Sequence, residues 1–203
     1  MLLAYAQGMG TGAGLIIAIG AQNAFVLSQG IRKNHVLLIP LICAVCDAAL
    51  VAVGVTGVGR IIASDPMFSK IAGIGGAIFL FGYGARAFVS AFKGNQLDAD
   101  QTAAMSMKAA VLATLAVTLL NPHVYIDTVL LVGSIAGQFK APDHLAFGAG
   151  AITSSFVWFF SLSIGATFLA PVFKQKTSWR ILDSFVGVVM WAIGFSIAGH
   201  MLG

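Results

Sequence analysis

Two aspartates, Asp47 and Asp127, lie inside long apolar stretches of the sequence, not in the polar segments between them. A charged carboxylate at the centre of a bilayer costs about 2.5–3.5 kcal/mol on insertion scales, and such residues usually mark ion or substrate pathways. Burial favours the protonated acid, whereas a nearby cation favours the carboxylate. One carboxylate can therefore exchange a proton for an ammonium or guanidinium group. The alternative is a structural pair with Arg86 or His123.

Amide side chains and a proline interrupt two of the same apolar stretches. Gln22 and Asn23 lie in the first stretch, and Asn121 precedes Pro122 in the fourth. Proline removes a backbone donor and clashes with the preceding turn. Irregular backbone at membrane depth is tolerated where it faces protein or a wet cavity. We therefore predict helix breaks that border a binding site, with a packing kink and interhelical hydrogen bonds as the alternative.

Polar residues around the second break have helical spacing. Asn121, Tyr125 and Thr128 are separated by four and then three residues, which would form a polar stripe on one helix. His123 and Asp127 are four apart and would share a face. The stripe could bind the carboxylate and ammonium groups of an amino acid, or it could join neighbouring helices. His123 could contact a substrate or simply orient Asp127.

Cys43 and Cys46 form a C-x-x-C spacing beside Asp47. A structural zinc site usually needs four Cys or His ligands, and the sequence offers no matching second pair. Within a helix, both thiols would behave as small apolar residues. There is also no hydrolase, kinase or nucleotide-binding motif. We therefore expect no metal site, no cofactor, no enzyme activity and no ATP-driven transport by this chain alone.

The composition is that of a protein embedded in lipid. Of the 203 residues, 59% are hydrophobic and 9% are charged, whereas a soluble domain has about 25% charged residues. About 20 apolar residues span a bilayer as a helix. Runs of this kind lie near 3–27, 36–59, 68–92, 109–137, 144–171 and 179–202. They are too long and continuous for a transmembrane barrel. We predict a single all-α integral membrane domain, 1–203, with about six transmembrane helices and no cleavable signal peptide.

The basic residues are distributed unevenly among the connections. Most lie in the first, third and fifth: Arg32, Lys33, Arg86, Lys93, Lys108, Lys174, Lys176 and Arg180. The bias predicts that these connections face the cytoplasm and that both termini lie outside. The net charge of +4 is therefore an orientation signal, and we expect no nucleic-acid partner.

The halves 1–95 and 108–203 resemble each other weakly. FVLS at 25–28 aligns with YIDT at 125–128, and FGY at 81–83 aligns with IGF at 193–195. Three spans per half would give the halves opposite orientations, as in the inverted repeats of secondary transporters. Chance matching in a glycine-rich apolar sequence is the alternative. G-x-x-x-G spacings starting at Gly8, Gly10 and Gly133 suit close helix packing.

The same segments resemble the lysine/arginine exporter (LysE-type) family. GAQNAFVL at 20–27 with QGIR at 29–32 resembles its first signature, CDA at 46–48 is similar to its acidic site, and LNPHVYID at 120–127 looks like its Asn-Pro signature. These matches cover nearly the whole chain in order. Many members have proline at the position of Ala21, and the alanine form is closer to the arginine-exporting branch.

This resemblance implies export of L-arginine or L-lysine from a bacterial cytoplasm across the inner membrane. It implies that Asp47 and Asp127 are the essential acidic pair, with Asn23 and Asn121 at the helix breaks. Carrying a cation out of the cell works against about 2.3 kcal/mol per charge per 100 mV, and one proton moving inward cancels that electrical cost. The expected partners are a basic amino acid, protons and the lipid bilayer, and a homo-oligomer is compatible with the sequence.

Two other classes of function remain open at this level. One is an exporter of neutral amino acids or of a divalent metal ion, the latter favoured by Cys43, Cys46 and His123. The other is a membrane protein without transport activity, either a scaffold or an embedded enzyme.

Overall fold

The computed structural model describes residues 1–17, 20–57, 66–93, 105–121, 124–171 and 176–202. Throughout these ranges the regular structure is helical and contains no strand. The helices are α1 (Leu2–Ile16), α2 (Ala21–Ile31), α3 (Leu38–Val55), α4 (Pro66–Lys93), α5 (Met107–Leu119), a π-helix (Tyr125–Leu131), α6 (Val132–Ala136), α7 (Asp143–Leu169) and α8 (Lys176–Leu202). The predicted all-α class is confirmed.

Several of these helices have the length and hydropathy of membrane spans. In the described part of the chain they are Leu38–Val55, Asp143–Leu169 and Thr177–Gly199, and α1 with α2 forms a fourth if this bent pair is one span. Shorter apolar stretches are Ala77–Phe92, Met107–Leu119 and Asp127–Ala136. Large apolar side chains point outward, including Phe168 at 77% exposed and Phe195 at 63%. A lipid-facing exterior accounts for this exposure, because water would penalise it.

The first predicted span is two helices instead of one. The axes of α1 and α2 are inclined at 81°. Gly20, at the N-cap of α2, has an extended backbone (φ −133°, ψ 174°). The side-chain amide of Asn23 donates to the Ile16 carbonyl oxygen at 2.7 Å and so pairs a carbonyl at the end of α1. The predicted break is confirmed, and it forms with Ala21 as the first residue of α2.

The fourth predicted span is interrupted in a similar way. Helix α5 ends at Leu119, and helix resumes with the π-helix at Tyr125. The Tyr125 hydroxyl donates to the Leu119 carbonyl oxygen at 2.7 Å. Thus a side chain beyond each break pairs the last carbonyl before it. Pro122 and His123 lie outside the described residues.

Glycines allow α1 and α7 to lie in close contact. A Cβ atom at Gly8 would overlap the Phe147 carbonyl oxygen, and one at Gly150 would overlap that of Tyr5. Helices α3 and α6 are in similarly close contact, since a Cβ at Gly133 of α6 would lie 2.6 Å from the carbonyl oxygen of Gly54 in α3. By contrast, a Cβ at Gly10 would meet nothing within 4 Å. Close packing is thus confirmed for Gly8 and Gly133 but not for Gly10.

The remaining helices form further packed pairs. Helix α4 packs along α8, and α3 packs against α7, the π-helix and α6. Helix α2 lies against α7 and α8. Helix α2 after the first break and the π-helix after the second therefore each pack against neighbouring helices.

We expect Gly8→Ala to lower the thermal unfolding midpoint of the protein in detergent, because the added methyl group meets fixed backbone atoms. Overpacking of this kind costs about 1–3 kcal/mol. Gly10→Ala is the matched control, since it adds the same methyl group on the same helix where space is open. Equal midpoints for the two variants would contradict the observed α1–α7 contact.

Candidate functional site

A cavity of ≈ 240 Å³ is bordered by helices α3 and α7 and by the chain at the two helix breaks. Its polar lining comes from Gln22, Asn23, Asp47, Asn121, Asp127, Thr128 and Ser155. One water molecule requires about 10–15 Å³ measured in this way, so the cavity has room for a small polar solute. The structure thus brings both membrane-embedded aspartates, and the amides predicted beside the breaks, to one cavity.

Each wall of the cavity comes from a different helix. The first turn of α2 forms one wall. The N-cap of α2 is Gly20, which has no side chain to accept a hydrogen bond from the first N–H groups of the helix. The first N–H groups of a helix have no partner within the helix, so this terminus presents donors. Asp47 projects from α3, Asp127 from the π-helix and Ser155 from α7.

Asp47 is almost completely removed from water. It is 2% exposed, and its Oδ2 atom accepts a hydrogen bond from the Ser155 hydroxyl at 3.2 Å. Its Oδ1 atom has no hydrogen-bond partner among the described residues. The ion pairs found within the described ranges do not include Asp47, and Arg86 is exposed on α4. A fixed pair with Arg86 is therefore not what stabilises this carboxylate.

The amide of Gln22 lies beside Asp47. Its Nε2 atom is buried and makes no hydrogen bond of good geometry within the described part of the chain. Buried polar groups without a partner are rare in folded proteins, and a bound ligand or water is a common reason for them. A buried donor and a buried acceptor therefore lie next to each other at the edge of one cavity.

Asp127 is half-buried on the opposite broken segment. It belongs to a π-helix, whose i→i+5 hydrogen bonds widen the turn and which often occurs at functional sites. The predicted polar stripe assumed one regular α-helix and is wrong. Asn121 precedes the helix and Tyr125 bonds across the break, whereas Asn121 and Thr128 both line the cavity.

Asn23 connects the first break to α7. Its Nδ2 atom donates to the Ile16 carbonyl, and its Oδ1 atom accepts from Trp158 Nε1 at 3.1 Å. Trp158 and Ser155 are three residues apart on α7 and share a face. Sequence reasoning missed both. The available signal was a hydroxyl group and an indole N–H group in the middle of a long apolar helix.

A second charged cluster joins α2, α4 and α8 away from the cavity. Arg32 pairs with Asp183, which is 5% exposed. Ser90 donates to Asp183 Oδ2 at 2.7 Å, and the Arg32 guanidinium lies 4.7 Å from the Trp179 ring centre. The sequence indicated Arg32 as an orientation charge and suggested no partner for Asp183.

The described residues contain no group of three or more His, Cys, Asp and Glu side chains that could hold a metal ion. Cys43 is buried, Cys46 is half-buried, and both are free thiols. The Cys43 sulfur lies 4.0 Å from the Thr118 hydroxyl. The two cysteines of the C-x-x-C sequence are thus side chains of α3 that pack among neighbouring residues.

Comparison with known proteins identifies the family. The model of the LysE type translocator family matches residues 13–200. The chain belongs to this family. The putative amino-acid transporter YggA of Aeromonas salmonicida is 42% identical over 97% of this chain and 96% of its own length. The arginine exporter protein ArgO of Klebsiella pneumoniae (strain 342) is 40% identical over 100% of this chain and 98% of its own length.

A further relative, the arginine exporter protein ArgO of Escherichia coli O157:H7, is 40% identical over 96% of this chain and 92% of that protein. No solved structure matches the chain. The resemblance to the LysE-type family and its arginine-exporting branch, predicted from short motifs, is confirmed over the full length. The protein is a multi-pass membrane transporter of this family.

We expect Asp183→Asn to destabilise the protein by about 3 kcal/mol, because breaking a buried ion pair costs about 3–5 kcal/mol and Arg32 keeps some contact with water. Thermal unfolding in detergent would measure the loss. Asp143→Asn is the control, since its pair with the N-terminus is exposed and such pairs contribute about 0–1 kcal/mol. The double variant Arg32→Met with Asp183→Leu should regain much of the thermal unfolding midpoint that Asp183→Asn loses, because no buried charge is left unpaired. Similar midpoints for Asp183→Asn and Asp143→Asn would refute this assignment.

Proposed function

We propose that this protein exports L-arginine, and L-lysine as a related cation, across the bacterial cytoplasmic membrane. The observation that carries the proposal is the cavity that Asp47 and Asp127 share, in which the buried Asp47 Oδ1 atom has no partner among the described residues. While such a substrate is bound, its α-ammonium group and its side-chain cation would each pair with one of the two carboxylates. Full-length similarity to proteins named arginine exporters supports the same substrate class.

The cavity gives no comparable support to the other candidate substrates. A neutral amino acid carries one cationic group, whereas two carboxylates line the cavity. For a metal ion, the described residues lack a ligand cluster. A cationic amino acid matches the lining better than either.

Proton exchange completes the transport cycle in this proposal. Asp47 and Asp127 bind the cation on the inner side, and a proton replaces it on the outer side. Each exchange moves one positive charge in each direction, so the membrane potential of about 2.3 kcal/mol per 100 mV does not oppose export. Protonation also removes the cost of leaving a buried carboxylate charged when the substrate has left.

The same proposal includes an arrangement of six spans as two inverted three-helix repeats, 1–95 and 108–203, with both termini outside. Two features of the described residues support it. In each half a side chain beyond the break bonds back to the carbonyl that ends the preceding helix, Asn23 to Ile16 and Tyr125 to Leu119. In addition, α3 packs against α7 and α4 against α8, as equivalent helices would do about a two-fold axis.

Alternating access then follows from rocking of one half against the other around the cavity. The cluster of Arg32, Asp183 and Ser90 lies at the end of the bundle that the basic residues assign to the cytoplasm. Because it joins α2 from the first half to α8 from the second, it would separate when the cavity opens inward.

We expect Asp47→Asn to reduce arginine exchange in proteoliposomes by about 10–100-fold. The reason is the loss of a charged partner, since hydrogen bonds to charged groups contribute about 1.5–3 kcal/mol and 1.4 kcal/mol is tenfold. Asp143→Asn, with an exposed carboxylate, should exchange at the wild-type rate. Wild-type exchange by folded Asp47→Asn would rule out the proposed site.

An inward-directed proton gradient should accelerate arginine export from proteoliposomes at zero membrane potential, because protons displace the cation on the outer side. The measurement is labelled arginine release at equal and unequal pH. A protonophore, which collapses the gradient, serves as the control. If release is the same with and without the gradient, protons are not the coupling ion.

A further inference from the structure

A hydrogen-bond donor and an acceptor without partners at the cavity indicate how a substrate would be oriented there. Gln22 Nε2 is a hydrogen-bond donor, Asp47 Oδ1 is an acceptor, and both are buried without a partner in the described part of the chain. They are neighbours, since the Gln22 amide lies beside the Asp47 carboxyl group. A ligand that satisfies both carries an acceptor and a donor close together, and a cationic donor forms the stronger hydrogen bond to a carboxylate.

The N-terminus of α2 adds further donors on the same wall. Residues 20–23 line the cavity, and no side chain among the described residues caps the helix. The first N–H groups of a helix have no partner within the helix, and together with the positive end of the helix dipole they favour an anion there. The wall formed by α2, Gln22 and Asp47 is therefore complementary to an anion and a cation side by side.

An amino acid has this pair of groups on its α-carbon. Resting on the export function proposed above, we propose that the substrate's α-carboxylate binds Gln22 and the N-terminus of α2, while its α-ammonium group binds Asp47 Oδ1. The carboxylate and ammonium groups share one carbon atom, so their partners must be adjacent, as Gln22 and Asp47 are.

The state of Asp47 also favours an ammonium group over a guanidinium group. Arginine pairs best with a carboxylate through two parallel hydrogen bonds, one to each oxygen atom. In Asp47 the Oδ2 atom already accepts from Ser155. The Oδ1 atom remains, and a compact ammonium group can bind it without a fork geometry.

Asp127 is then left for the cation at the end of the substrate's side chain. Among the described residues that line the cavity, Asp47 and Asp127 are the acidic ones. Asp127 belongs to the π-helix, on the segment opposite α2, with Thr128 beside it. The side-chain cation of arginine or lysine is several bonds from the α-carbon, so it needs a partner away from the headgroup. Asp47 thus binds the α-ammonium group, which all amino acids have, and Asp127 determines specificity for cationic side chains.

Two arginine analogues separate these contacts. Citrulline keeps the headgroup and the side-chain shape but has no side-chain charge, and agmatine keeps the guanidinium group but has no carboxylate. Binding to the purified full-length protein in detergent, measured by calorimetry, gives the affinity for each compound. For the wild type we expect citrulline and agmatine to bind at least tenfold more weakly than arginine.

The two aspartate variants should respond differently. In Asp127→Asn, the preference for arginine over citrulline should fall at least tenfold, because the charge that distinguishes them is gone. In Asp47→Asn, arginine and citrulline should both lose at least tenfold in affinity. Gln22→Ala provides a test that leaves both charges in place, and it should weaken arginine and citrulline about tenfold while leaving agmatine unchanged.

The outcomes distinguish the orientation from the export function. The opposite pattern is that Asp47→Asn abolishes the preference for arginine over citrulline, while Asp127→Asn weakens the binding of both compounds. This pattern would mean that the substrate binds in the reverse orientation. It would overturn this inference, although the exporter proposal would stand. Agmatine binding to the wild type as tightly as arginine would overturn the carboxylate site in the same way. If neither aspartate variant alters arginine binding, the export site itself is wrong.

Discussion

A carboxylate held away from water needs hydrogen bonds, a positive charge or a proton, and Asp47 has one hydrogen bond and no ion pair among the described residues. The surrounding structure is arranged around this requirement. The first helix breaks so that the start of α2 borders the cavity, and the second break with its π-helix brings Asp127 to the other side. Helix α7 supplies the hydroxyl of Ser155, which orients the carboxylate. In the proposed function, a cationic substrate supplies the positive charge that no described residue places beside Asp47.

Broken helices inside a membrane introduce a second requirement, because no backbone group can rely on lipid for a hydrogen bond. Asn23 and Tyr125 meet it by bonding to the carbonyl groups at the ends of α1 and α5. Trp158 then fixes Asn23 from α7. Close glycine contacts between α1 and α7 hold the wall behind this region. The irregular backbone is therefore supported from one side and borders the cavity on the other.

The sequence predicted the helices and most of the polar cavity residues because both depend on local patterns. Apolar runs placed α3, α4, α7 and α8 within a few residues of their bounds, and amides in apolar surroundings indicated the breaks. The π-helix was not predictable, since its residues have no distinct composition, and its wider turn invalidated the expected stripe. The contacts of Ser155 and Trp158 and the pair of Arg32 with Asp183 were also missed. They join residues more than a hundred positions apart, and periodicity within one helix carries no information about such neighbours.

The central claim is that a cation in transit occupies the cavity between Asp47 and Asp127. The most direct measurement is an experimental structure of the purified protein determined with and without saturating arginine. The account predicts density for one arginine molecule in this cavity, with a nitrogen atom within hydrogen-bond distance of Asp47 Oδ1. Arginine bound elsewhere, with the Asp47 Oδ1 atom paired to a protein side chain in both structures, would contradict it.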